Sequence, residues 1–234
     1  MTTHIHNALH SITVGTIQLP LIATRNLRSK RLILRYDAKK QSVKLTLPRG
    51  ISVAQGLAFA QSKTDWIAAQ LKQDEAVTFV HGAVLPLWGR DYTLEYMGGR
   101  GVVRLEDNKI LVSGDEAFFA RRVRDFIKQE TLKRMSEIAH ANAAKLGVKA
   151  RKITLRETTS RWGSCSAKGE LSLCWRLAFA PYAVMHYVVC HEVAHLLHHN
   201  HSRAFWDALE HICPHFTPHE KWLTKHGSSL WRYS

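Results

Sequence analysis

The apolar positions of this chain change period several times. Between residues 15 and 48 they fall in short blocks, VGTIQLPLIAT, RLILRYD and SVKLTLP, rich in β-branched residues and separated by turn formers, which predicts strands. Pro48, Arg49 and Gly50 close that hairpin-like region. From Ser52, a helix cap, the period lengthens. Ala58, Phe59, Trp66, Ile67 and Leu71 share one side of a helix expected to reach about Gln73. Strand character returns over residues 77–113 in VTFVHG, AVLPLWG, DYTLEYMGG, GVVRLED and KILVSG, with glycines and Asn108 at the turns. Asp115 opens a long helix to about Leu146, along which Phe119, Val123, Ile127, Met135 and Ile138 recur at helical spacing until Gly147 stops it. KITLRETT, RWGSCS and ELSLCWRL then read as three short strands. From Pro181 the pattern is helical to about His199, with Asn200 as its end. Ser202 caps a further helix through about Ile212, and Pro218 starts a last one ending near His226 or Gly227.

A β-rich first part followed by a helix-rich part with a few strands is an α+β pattern. The expected division is a β-rich region over residues 1–114 and a second domain over 115–234. No repeat or low-complexity segment stands out in the sequence.

Composition narrows the class. Hydrophobic residues make up 45% and charged residues 22% of 234, which suits a folded chain with a real core. No apolar run reaches the roughly 18 residues a bilayer requires, and the amino terminus lacks a basic segment followed by an apolar one. We therefore expect no membrane partner and a cytoplasmic location. Cys165, Cys174, Cys190 and Cys213 form no CxxC pair and are expected as free thiols, Cys190 as core packing; their spacing supports a four-thiolate zinc site poorly. The formal charge of +14 and a pI near 9.9 either serve nucleic acid or reflect a solvated basic surface. The densest runs are Arg25 to Arg35 and Arg121 to Lys133; the second has helical spacing and suits a wet helix face.

The segment CHEVAHLLHHNHSRAFW carries the chemistry. His191 and His195 are four apart, so a helix puts both imidazoles on one face, one turn apart, able to share a metal ion. Glu192 lies beside the first of them, placed to take a proton from a water without being a ligand. Three protein ligands and one open position make the catalytic form of a zinc site. A glutamate between apolar residues on a buried helix would be costly without such a use. Spacing leaves the third ligand open. His198 lies about two turns beyond His191 and converges poorly. His201, which follows the helix break at Asn200, competes with Asp207, Glu210 and Glu220.

The string TTSRWGSCSAKGELSLCWRLAFAPYAVMHYVVCHEVAHLLHHNHSRAFW strongly resembles the YgjP-like metallopeptidases, a family of metal-dependent hydrolases. RSKRLILRYD, VKLTLPRG, KTDWIAAQ and LPLWGRDYTL resemble its amino-terminal half, so the likeness covers most of the chain. More distantly the chain is similar to the WLM and SprT-like zinc proteases. The resemblance implies a zincin-like helical part with a small antiparallel sheet beside the HExxH helix, Zn2+ as cofactor, a protein or peptide substrate, and the NHS histidine, His201, as third ligand. One departure is Cys174, where the family usually has asparagine.

In such proteases a strand beside the metal helix binds an extended peptide by backbone pairing. ELSLCWRL is the candidate strand, and it equally suits a buried strand packed on the active-site helix. Ser160 to Ser164 combine hydrogen-bond donors with an aromatic wall. Arg161, Trp162, Ser164, Trp175, Arg176 and Tyr187 are the candidate substrate residues, with Arg161 or Arg176 as an oxyanion partner. Phe205 and Trp206 are expected to pack the following helix on the metal helix. The reading is a zinc metallopeptidase with Glu192 as general base. The alternatives are a protease acting on nucleic-acid-bound proteins, or a non-catalytic binding module with structural zinc.

Overall fold

A computed structural model describes residues 7–37, 40–73, 76–158 and 161–233, and the chain divides into two compact units, Met1–Ala76 and Val77–Ser234. The boundary expected near residue 114 falls inside the second unit. The strands before it and the helix after it bury one common core, Leu85, Leu94 and Ile110 with Val123, Ile127 and Met135, so they cannot be separated there.

The first unit holds β1 (Asn7–Val14), β2 (Ile17–Arg25), β3 (Ile33–Asp37) and β4 (Ser42–Leu47), in the sheet order β1-β2-β4-β3. β1–β2 and β3–β4 are antiparallel and β2–β4 is parallel. Leu19, Leu21 and Ala23 alternate inward along β2, the period-two pattern of a half-buried strand. The single helix expected from Ser52 to Gln73 is two, α1 (Val53–Gln61) and α2 (Thr64–Gln73). Ser52 and Gln55 form a reciprocal capping box at the start of α1. Its end is set by Ser62, whose hydroxyl donates to Phe59 O at 2.8 Å and competes with helical continuation.

The second unit opens with β5 (Val84–Leu87), β6 (Arg90–Gly98), β7 (Arg104–Glu106) and β8 (Lys109–Ser113), ordered β5-β6-β8-β7. The pairings are antiparallel, parallel and antiparallel in that order. This repeats the topology of the first sheet without a repeat visible in sequence. VTFVHG is not a strand; Val77 alone bridges to Tyr233. After a 3-10 turn capped by Asp115, α3 (Phe119–Lys145) runs 27 residues and buries Val123, Ile127, Met135 and Ile138 along one stripe.

The remaining elements are β9 (Lys152–Arg156), β10 (Gly163–Cys165), β11 (Glu170–Cys174), α4 (Tyr182–Ala194), α5 (Arg203–Ile212) and α6 (Thr217–His226). Their small sheet has the order β10-β11-β9 and is mixed, with β10–β11 antiparallel and β9–β11 parallel. β11 is thus the central strand. Among the described residues, no helix is long and apolar enough to cross a membrane.

Candidate metal centre

α4 is buried on almost every side. Val184, Met185, Val188, Val189, Val193 and Ala194 are all in the core, so the helix is fixed by packing rather than by a polar outer face. It ends at Ala194, five residues before the expected His199, and His195 is its C-cap. There the ring of His195 turns back on the chain, its Nδ1 lying 2.9 Å from His198 O. A carbonyl only accepts, so Nδ1 carries the proton and Nε2 keeps a free lone pair. This early stop lets the following segment double back and present His201.

His191, His195 and His201 converge. Their ligand atoms all lie within 4.8 Å of one another. The ring centroids are 5.0 Å apart for His191 and His195, 5.1 Å for His191 and His201, and 4.9 Å for His195 and His201. Nε2 of His201 is 3.1 Å from Nε2 of His191. Two imidazole nitrogens on a tetrahedral ion with bonds of about 2.0–2.1 Å stand about 3.3 Å apart, so the donor set fits zinc. Burial, with smaller contributions from the two neighbouring imidazoles, lowers the His191 pKa to about 4, and burial lowers that of His195. Both are therefore held neutral at pH 7, the form in which imidazole ligates. Asp207 instead faces Arg203 on α5, and Glu210 accepts from His215 N at 3.0 Å.

Phe205 organises the three rings. It is fully buried, and its centroid lies 4.9, 4.5 and 4.7 Å from those of His191, His195 and His201. Trp206 adds contacts at 6.3 Å to His191 and 5.6 Å to His201. The expected helix packing is thus the apolar floor of the histidine cluster, a role the AFW string alone does not reveal.

Glu192 lines a cavity of about 230 Å³ together with Arg161, Trp162, Gly163, Tyr187, His191 and Leu223, among others. It is 6% exposed, and burial raises its pKa to about 7 although Arg161 pulls the other way. Gly163 makes this approach possible: a Cβ there would stand 2.5 Å from Glu192 Oε1. Sequence patterns gave Gly163 no role, since only the approach of β10 to α4 reveals it.

Of the candidate substrate residues, Arg161, Trp162 and Tyr187 line the cavity. Tyr187 is buried, lies edge-on to His191 at 5.9 Å and stacks on Phe216; burial raises its pKa, so the hydroxyl stays protonated. Trp162 stacks on Trp231 at 4.6 Å. Ser164 is half-buried in β10 opposite Ser172 and does not line the cavity. Ser160 lies outside the described residues. Trp175 is 1% exposed against Phe179, and Arg176 donates from Nε to Tyr233 O at 2.7 Å, so these two belong to the core and to the carboxy-terminal segment, not to the cavity. β11 was the candidate peptide-pairing strand, but both its edges are occupied. Among the described residues, β10 and β9 each pair only with β11, and of these two edge strands β10 is the one that carries a cavity-lining residue, Gly163.

A family model described as YgjP-like, metallopeptidase domain, matches residues 30–226. No curated protein matches. Among solved structures, the chain is similar to the metallopeptidase zymogen abylysin of Pyrococcus abyssi, with 23% identity and a TM-score of 0.35 over 39% of this chain and 93% of that one.

Proposed function

Because the chain belongs to the YgjP-like metallopeptidase-domain family, and is thereby a metal-dependent peptidase, we propose that its metal is zinc, held by His191, His195 and His201, and that Glu192 is the general base for peptide-bond hydrolysis. The observation that carries this reading is the convergence of three imidazoles beside a buried carboxylate at a cavity. When bound, zinc supplies Lewis acidity, polarising a carbonyl oxygen and lowering the pKa of water.

The protein's own groups do the rest. Phe205 and the His195–His198 contact hold the rings in place, so little reorganisation accompanies metal binding. Glu192 takes the proton of the attacking water and returns it to the leaving amine. In the metal-free site burial already lifts this carboxyl to about 7, which favours a group that must both take and return a proton. Displacing it from an ordinary value costs about 3 kcal/mol, which the fold supplies through burial. The guanidinium of Arg161 and the protonated hydroxyl of Tyr187 border the same cavity and would stabilise the developing oxyanion. A protein or peptide substrate would lie extended along the outer edge of β10, its backbone pairing with Gly163 to Cys165.

The test is Glu192→Gln on zinc-loaded protein. Hydrolysis should fall by at least about 10³-fold while bound zinc stays at the wild-type level, since the amide cannot accept the proton. Activity within tenfold of wild type would remove Glu192 from this role.

A further inference from the structure

Helix α4 carries the i, i+4 pair of ligand-type residues twice. His191 and His195 form the pair already described, and His186 and Cys190 form another, five residues earlier. Five residues turn a helix by about 500°, so the second pair stands about 140° round the axis from the first. The third member of each lies at an end of α5: His201 precedes its Ser202 cap and Cys213 follows its last residue.

The second cluster is compact and drier than the first. Cys190 and Cys213 are 0% and 5% exposed, and His186 is half-buried. Both sulfurs approach one nitrogen: Cys190 Sγ lies 3.6 Å and Cys213 Sγ 3.7 Å from His186 Nδ1. The three ligand atoms all lie within 4.8 Å of one another. A tetrahedral ion with bonds of about 2.3 Å to sulfur and 2.0–2.1 Å to nitrogen separates such a pair by about 3.6 Å.

We propose that His186, Cys190 and Cys213 form a second metal site for a thiophilic cation, zinc in the first instance, with the fourth position taken by a non-protein ligand. Charge balance favours it. Two thiolates and a neutral imidazole around a divalent ion sum to zero, which an apolar interior tolerates, and the two thiol protons leave to solvent on binding. Without an ion the two thiols hydrogen-bond each other, and Cys190 Sγ reaches Ile212 O only across a long 3.9 Å. Thiolate and imidazole together select zinc over magnesium or calcium. The ion would fasten α4 to the carboxy-terminal end of α5, the helix whose other end bears Phe205 and follows His201.

The proposal stands apart from the peptidase reading, and Co2+ titration of the metal-free full-length chain under reducing conditions tests it. A sulfur-to-cobalt charge-transfer band in the near ultraviolet reports the new site alone, because three imidazoles cannot produce it. The band should appear with about one equivalent bound there, persist in His201→Ala and vanish in Cys213→Ser. His186→Gln keeps both thiols and should weaken binding of that Co2+ by more than about tenfold. No such band in the wild-type chain at saturating Co2+, or one that Cys213→Ser leaves unchanged, would overturn the proposal. Should Cys213→Ser not fold, the wild-type spectrum and His186→Gln decide it.

Discussion

Replacing Gly163 by alanine asks how tightly Glu192 is positioned. A methyl built there stands 2.5 Å from Oε1, 2.6 Å from Cγ and 2.8 Å from Cδ of Glu192. Comfortable carbon contacts lie near 3.5–4.0 Å, so about 1 Å must be recovered by something moving. Gly163 is not among the positive-φ glycines, so alanine introduces no backbone strain and the perturbation is the methyl alone. β10 is held by its pairing with β11, whereas the Glu192 side chain ends in an open cavity. The carboxylate therefore yields. A displacement of about 1 Å at a reacting group costs about 10²-fold, or about 2.7 kcal/mol of transition-state stabilisation. The assay is kcat/KM on a fluorogenic peptide pool, with metal content measured on the same samples. Glycine-to-alanine should reduce kcat/KM about 100-fold with zinc content unchanged. An effect under about threefold would refute the positioning argument. Loss of zinc together with activity would refute the assignment of the effect to Glu192.

Three further outcomes follow from the same geometry. His201→Ala removes one of three ligands and should weaken zinc binding by more than about 100-fold in a competition titration against a chromophoric chelator, while Asp207→Ala should not. In the metal-free protein two buried groups titrate in opposite senses. Glu192, raised to about 7, lets the folded state hold more protons than the unfolded one, so its contribution falls as pH rises from about 4.5 to 7; His191, lowered to about 4, makes stability rise between about 4 and 6.5. Glu192 and His191 largely offset each other, so Glu192→Gln should unmask a rise of about 1.4 kcal/mol per pH unit from His191 over pH 4.5–6.5, to which His195, also lowered by burial, adds; it is read by urea denaturation at several pH values, and a flat profile would contradict the lowering of these two imidazoles. In the first unit, a Cβ at Gly56 would collide with Leu47 Cδ2 and stand 3.0 Å from Leu45 Cδ2. Gly56→Ala should therefore destabilise that unit by about 1–3 kcal/mol, and an unchanged melting temperature would argue against the packing of α1 on β4.

Local patterns were the most legible in sequence. β2, β3 and β4, the long α3 and the pairing of His191 with His195 each depend on residues a few positions apart, and they stand where the periodicity put them. Long-range pairing was not legible. Nothing in ELSLCWRL distinguishes a central strand from an edge strand, and the difference moves the proposed peptide-pairing edge from β11 to β10. The unit boundary at Ala76 carries no proline- or glycine-rich linker, and only the shared burial of β5–β8 with α3 reveals it. Trp175 and Arg176 look like groove residues because aromatic and basic side chains suit substrates, yet one fills the core and the other holds Tyr233 O. The end of α4 was misplaced because an apolar run continues through Leu197. The turn is made by a side-chain contact, His195 to His198 O, that propensity does not register. His201 was reached through family resemblance, since after a chain reversal spacing alone no longer predicts distance.

The central claim is that one divalent ion sits among His191, His195 and His201 beside Glu192. Anomalous diffraction at the zinc edge from crystals of protein purified without added metal tests it most directly. The account predicts a strong peak about 2.0–2.1 Å from one nitrogen of each of the three rings, with the Glu192 carboxylate turned toward the fourth, non-protein position. A map with no peak at the three imidazoles, or with zinc bound only at Cys190 and Cys213, would contradict it.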